Sequence, residues 1–311
     1  MIQTQDLTKK FDEFLAVDGI NIDVAAGQVL TLLGPNGAGK TTTVRMLTSV
    51  LMPTSGTAQV AGYDVIQQAD KVRACVGVLT ESHGLYRRMN AMEYLDFFGE
   101  LYGMPAAARH RRSEFLLEKF GLADSSRKRL GEYSKGMRQK LALVRAMIHD
   151  PSVLLLDEPT SAMDPESARM VRDSILSLRS DERTIVLCTH NLNEAEELAD
   201  QIAIIQQGKI ISYGTLAELK QQFLGLPEFE VRFAAPVDHF PDLPHGIVSN
   251  EHGEDWLRFW TADPRTQNPL VLQALIDQKF PVVGLQEVER SLESAYLEAV
   301  NHHPANGNHH G

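Results

Sequence analysis

Gly34-Pro35-Asn36-Gly37-Ala38-Gly39-Lys40-Thr41 spells G-x-x-x-x-G-K-T. The apolar run Val29–Leu33 precedes it, and Val44, Leu47, Val50 and Leu51 follow at helical spacing. Strand, glycine-rich loop and helix in this order make the setting of a phosphate-binding loop. Glycines let the backbone curl until successive N–H groups point at one anion. A helix starting near Gly39 aims the positive end of its dipole at the same place. Gly34 to Gly39 and Thr42 are therefore the candidate cradle. Lys40 reaches the β- and γ-phosphates of a nucleotide, and the Thr41 hydroxyl ligates Mg²⁺.

A second chemical signal lies downstream. The apolar run Val153–Leu156 passes directly into Asp157-Glu158. Acids at the end of a buried strand are costly unless they are paired or hold a metal. In open α/β sheets that end faces the ligand crevice. Asp157 is then expected to hold Mg²⁺, and Glu158 to polarise the water that attacks a γ-phosphate.

Composition narrows the classes. The chain has 311 residues, 43% hydrophobic and 23% charged, which is ordinary for a globular protein and long enough for two domains. No apolar run approaches the ~20 residues of a membrane-spanning helix, and no basic-then-apolar leader is visible at the start. Net charge is −11, of which −8 falls from Gly225 onward. An acidic chain without a basic face is a poor partner for nucleic acid. Cys75 and Cys188, the only cysteines, sit in apolar runs and read as buried free thiols.

Three short apolar runs, Val153–Leu156, Thr184–Leu187 and Ile202–Ile205, read as strands covered on both faces, with helices between them. The expectation is a parallel α/β core. Residues 90–130 read as helical, opening on a capping box at Asn90–Glu93. A helix is expected from Gln139 to Ile148. After Gly225-Leu226-Pro227 the pattern changes to strands at Glu228–Phe233, Trp256–Trp260 and Val282–Val288, with a helix near Pro269–Gln278. The final residues 301–311, with four histidines, read as a disordered tail.

The segment Tyr133-Ser134-Lys135-Gly136-Met137-Arg138-Gln139 stands shortly before Asp157. It resembles the signature sequence of ATP-binding-cassette (ABC) ATPases, usually of Leu-Ser-Gly-Gly-Gln type. Other residues fit that family in order: Phe11 as the aromatic under adenine, Ser161-Ala162-Met163-Asp164 as the D-loop, and His190 as the switch histidine. Two departures stand out. Thr80-Glu81 occupies the place of a frequent Gln, and Lys135 replaces a glycine. The resemblance spans about residues 2–220. It implies a P-loop NTPase core with an antiparallel β subdomain and a helical subdomain at about 82–135, the whole cassette covering 1–222. A small α+β domain would follow at 226–300. Ser291–Leu297 resembles the closing helix of ATPase subunits from drug, antibiotic and sodium exporters.

The implied cofactors are ATP and Mg²⁺, with Thr41, Asp157 and Glu81 at the metal. Lys40, Glu158 and His190 are the implied catalytic residues. Phe11, residues 34–42, Ser134, Lys135, Gly136 and Asp164 are the implied nucleotide contacts. The implied partners are a transmembrane permease subunit and a second cassette, in a homodimer or a heterodimer. The place would be cytoplasmic, peripheral on the cell membrane, with no spanning segment of the chain's own. The alternative is a soluble ABC ATPase of DNA repair or translation. No long coiled coil, zinc module or second cassette supports it. A non-hydrolysing scaffold is disfavoured by the intact Lys40, Asp157, Glu158 and His190.

Overall fold

The computed structural model describes residues 1–80, 84–161, 163–179, 183–237 and 239–302. Glu81, Ala162 and the histidine tail from 303 lie outside the described residues. Two compact units are present, Met1–Leu216 with His302, and Ala217–Asn301.

In the first unit, β1 (Ile2–Phe11), β2 (Phe14–Val24), β4 (Ser55–Val60) and β5 (Tyr63–Asp64) form an antiparallel sheet in the order β2-β1-β4-β5. A six-stranded sheet has the order β10-β9-β3-β8-β7-β6. Its strands are β3 (Val29–Leu33), β6 (Val76–Leu79), β7 (Val153–Asp157), β8 (Thr184–Thr189), β9 (Gln201–Gln206) and β10 (Lys209–Gly214). The first five run parallel, and β10 closes the edge antiparallel to β9. Every residue of β3, β7 and β8 is buried. Side chains of a strand alternate between faces, and here both faces are covered. Leu154, Leu156, Ile185 and Leu187 join one core, while Val153, Leu155, Val186 and Cys188 join another.

The helices of this unit are α1 (Lys40–Leu47), α2 (Ala69–Cys75), α3 (Ala91–Leu101), α4 (Ala106–Lys119), α5 (Lys135–Ala146), α6 (Pro165–Arg179) and α7 (Leu192–Leu198). The capping box opens α3, with Asn90 Oδ1 accepting from the Glu93 amide and Glu93 accepting from the Asn90 amide. Tyr94 and Leu95 of α3, Leu116 and Leu117 of α4, and Leu141 to Val144 of α5 share one core. Arg145 ties three elements together. It donates to the Tyr94 hydroxyl at 3.0 Å and the Val78 carbonyl at 3.4 Å, and it lies 5.2 Å from the Phe98 ring.

Three local expectations need correction. α5 starts at Lys135, four residues before the expected Gln139, because Ser134 caps it and Gly136 lies inside it. Gly136 is there for close packing, since a Cβ would meet Ser167 Oγ at 3.0 Å. α1 ends at Leu47, so Val50 and Leu51 are not on it; Ser49 takes a left-handed φ of 57° and turns the chain. Cys75, expected buried, is only half-buried at the end of α2, whereas Cys188 is buried in β8 as expected; both are free thiols.

The second unit takes in most of α8 (Leu216–Leu224). An antiparallel sheet follows, in the order β12-β13-β11-β14, from β11 (Glu228–Phe233), β12 (Val248–His252), β13 (Trp256–Trp260) and β14 (Val282–Glu287). Phe229, Val231, Leu257 and Phe259 pack on Val271 and Leu275 of α9 (Pro264–Asp277). α9 begins five residues before the expected Pro269. Asp263 caps it and Pro264 takes the first turn, where a missing N–H costs nothing. α10 (Leu292–His302) is the last element. Among the described residues, no helix is long and apolar enough to cross a membrane.

Candidate active site

The site is built where β3, β7 and β8 end side by side. Leaving β3, the chain turns at once at Gly34, whose amide donates to the Thr189 carbonyl at 3.2 Å. A Cβ at Gly34 would lie 2.2 Å from the Ile205 carbonyl oxygen. That oxygen is backbone in the neighbouring strand and cannot swing away. Gly39 is held by both constraints, with φ at 108° and the Ala16 carbonyl 2.6 Å from a Cβ position. Both glycines are therefore steric requirements of the turn. Gly34→Ala is expected to destabilise the fold by at least about 1–3 kcal/mol, the usual cost of overpacking. A urea midpoint equal to that of the wild type would show that β3 and β9 can part without cost.

Lys40 opens α1 and is buried, at 5% exposure. Its Nζ donates to the Gly34 carbonyl at 2.6 Å and the Pro35 carbonyl at 3.2 Å, and lies 3.3 Å from Glu158 Oε1. The next residue, Thr41, donates to Asp157 Oδ2 at 2.8 Å. The loop and the acidic strand end are thus joined side chain to side chain.

Glu158 has a left-handed φ of 51°, which strains a residue with a Cβ by about 1–2 kcal/mol. Its amide donates to the Cys188 carbonyl at 2.9 Å, which holds the turn. Its carboxylate sits between two partners, Lys40 on one side and His190 Nδ1 at 2.8 Å on the other. Consecutive residues at the end of β8 therefore serve three parts of the site. The Cys188 carbonyl holds Glu158, the Thr189 carbonyl holds Gly34, and His190 supplies its ring.

A cleft of about 260 Å³ lies over this arrangement, lined by residues 35–42 with Glu158, Ser161, His190 and Phe14. Phe14 was not among the sequence candidates. Phe11 pairs with it across the β1–β2 hairpin and is 43% exposed, with Lys9 Nζ 5.0 Å from its ring. Only the hairpin register could have pointed to Phe14.

The remaining candidates form a separate region. Ser134 and Lys135 are exposed, and Ser134 Oγ accepts from the Met137 amide at 3.2 Å. Asp164 caps α6 and accepts from the Ser167 amide at 2.9 Å, and that bond holds its carboxyl below the usual carboxylate range. None of these three, nor Gly136, lines the cleft above Lys40. Glu81 falls outside the described residues.

The donor set can be tested against a metal. Thr41 and Asp157 offer hydroxyl and carboxylate oxygens within hydrogen-bond distance of each other. Among the described residues no cluster of three or more His, Cys, Asp or Glu could hold an ion. One or two hard oxygen ligands beside a phosphate site suit Mg²⁺, which keeps its waters and takes the rest of its shell from phosphate.

The family model described as ABC transporter matches residues 17–161. Over 308 residues the chain is 34% identical to the daunorubicin/doxorubicin resistance ATP-binding protein DrrA of Streptomyces peucetius, covering 98% of this chain and 93% of that one. It is 42% identical over 214 residues to the daunorubicin resistance ATP-binding protein DrrA3 of Streptomyces coeruleorubidus, covering 69% and 68%. A solved ATP-binding subunit of an ABC transporter superposes with a TM-score of 0.66 at 27% identity, covering 72% of this chain and 94% of that one. The loop at Gly34–Thr41, the acids ending β7, His190 ending β8 and these likenesses agree, and the chain belongs to the ABC transporter family as one of its ATP-binding, ATP-hydrolysing subunits.

Proposed function

We propose that the chain energises a membrane exporter through ATP-driven closure of two cassettes, head to tail. The observation that carries this reading is the separation of two anion-binding helix starts. One, at α1, opens on the Lys40 cleft. The other, at α5, carries Ser134 at its cap and does not line that cleft. Helix N-termini with free N–H groups bind anions, so the second start is suited to a nucleotide held by another protomer. Ser134, Lys135 and Gly136 then face the partner's ATP, and Asp164 belongs to the same closing surface.

Within the cleft, Lys40 and backbone N–H groups among residues 36–42 hold the phosphates, with Gly34 and Pro35 shaping the turn that presents them. Thr41 and Asp157 hold Mg²⁺, which offsets phosphate charge when bound. Glu81 remains a candidate ligand from sequence alone. Phe11, with Phe14 beside it, stacks on adenine. Glu158 takes a proton from water as its oxygen attacks the γ-phosphorus, and the bond to the β-phosphate oxygen breaks. His190 contacts the γ-phosphate and orients Glu158.

The membrane partner is expected beside the helical region. Val50, Leu101 and Tyr102 are exposed by 72%, 65% and 43% and line a cleft of about 520 Å³. Exposed apolar side chains grouped in a cleft mark interaction surfaces. A permease docked there would hold the chain on the cytoplasmic face of the membrane. The cassette then comprises about residues 1–222 and the small C-terminal domain about 226–300.

Mixing two defective chains tests the shared site. Lys40→Ala and Ser134→Arg are each expected to be inactive alone. In a mixed dimer both lesions fall on one site and the other site is intact, so mixing should restore up to about a quarter of wild-type activity if two intact sites act independently. Activity that never rises on mixing would overturn the head-to-tail arrangement.

A further inference from the structure

Glu194 is fully buried on α7, four residues beyond His190. An acid in that position is a poor choice for packing alone, because an unpaired buried carboxylate is costly and an apolar side chain would fill the space. Its Oε1 accepts from the Thr160 hydroxyl at 3.0 Å. Burial pushes the carboxyl up, and the hydrogen bond from Thr160 works against that rise. Arg172, which also bears on it electrostatically, gives its Nε to Glu197 at 2.6 Å.

The partners of Glu194 matter more than its charge. Thr160 lies two residues past Glu158, on the turn that Glu158 enters with its left-handed φ. Thr189 lies one residue before His190; its hydroxyl accepts from the Asn191 amide at 3.0 Å, and Asn191 Oδ1 accepts from the Glu194 amide at 3.3 Å, which ties Glu194 to that strand end. The Glu158 turn is fixed at its start by the Cys188 carbonyl. Beyond the carboxylate itself, its far side is fixed by Thr160. Within the turn the Ser161 amide donates to the Glu158 carbonyl at 3.2 Å, and the Thr160 hydroxyl ties the turn outward to α7.

We propose that Glu194 is a positioning residue for hydrolysis, a buried strut that locks the turn bearing Glu158 to the strand end bearing His190. This rests on the reading of Glu158 as the base for water. The strut acts through geometry. It fixes the direction of the Glu158 carboxylate relative to His190 and touches neither nucleotide nor water. Small displacements of a reacting group cost up to about a hundredfold in rate.

The test uses the full-length chain and steady-state ATP hydrolysis, with ATP binding and melting temperature measured on each variant. Thr160→Val removes the donor with little change in shape, and Glu194→Leu removes the acceptor. Each is expected to lower kcat by about tenfold to a hundredfold while leaving KM for ATP near wild type. Glu194→Gln keeps an acceptor oxygen and is expected to restore most of kcat. The double variant should be no slower than the worse single variant, because both remove the same bond.

Wild-type kcat in Thr160→Val would overturn the proposal. So would additive losses in the double variant, or a Glu194→Gln as slow as Glu194→Leu. A fall in kcat that only follows the loss of ATP-binding-competent protein would overturn it too. Glu158→Gln run beside these separates the two readings. If Glu158→Gln turns over normally, the base assignment itself fails. If it is inactive while Thr160→Val is normal, only the strut fails.

Discussion

Glu158→Gln is expected to lower kcat by about 10²–10⁴-fold, the usual contribution of a positioned base, while ATP still binds. Gln has nearly the same shape as Glu and accepts the bond from His190, but it cannot take a proton from water. The change also removes the negative partner 3.3 Å from Lys40. The ammonium then has less to give up when a phosphate arrives, so nucleotide affinity should hold or rise. With hydrolysis blocked, closed dimers should accumulate on adding ATP. Phosphate release and light scattering after gel filtration measure the two effects. Turnover at the wild-type rate would remove Glu158 from the role of base.

Lys40→Ala is expected to act one step earlier, at binding. The ammonium is buried and surrounded by the Gly34 and Pro35 carbonyls and by Glu158. Truncating one partner of a buried charge pair typically costs about 2–5 kcal/mol, which here corresponds to a loss of ATP affinity between thirtyfold and several thousandfold. Part of that loss comes from the Glu158 carboxylate, which keeps His190 but loses its cation and so repels an incoming phosphate. Equilibrium titration with a fluorescent ATP analogue reads the loss directly. Unchanged affinity would refute the phosphate role of Lys40. The two variants thus separate binding from chemistry, because one should bind without turning over and the other should scarcely bind.

The sequence was most readable where one short segment carries its own constraint. The loop at Gly34–Thr41 could be read because its glycine spacing and Lys-Thr end form one contiguous pattern, although Gly34 and Gly39 answer to Ile205 and Ala16 far along the chain, and the acids ending β7 because an all-apolar strand leaves them conspicuous. The start of α5 was misjudged because Gly136 looks like a helix breaker. Its reason is Ser167 on a different helix, which the local sequence does not reveal. β12 escaped notice because all five of its residues are exposed, so no apolar alternation marks it. The start of α9 was hidden by Pro269 inside the helix, although Asp263-Pro264 is itself a start signal. Thr160 and Glu194 were least accessible. They are 34 residues apart, and only the fold brings them together and buries both.

The end of β8 can be seen as the datum from which the parts of the candidate site are measured. Glu158 and Gly34 are referenced to the last two residues of one strand, Cys188 and Thr189, and His190 follows them directly. When the sheet flexes, all three move by the same displacement, and the distances among them survive. A one-residue slip of that strand would misplace all three at once. The site is therefore tolerant of motion in the sheet and intolerant of insertions at Cys188–His190, where length changes have no independent part to absorb them.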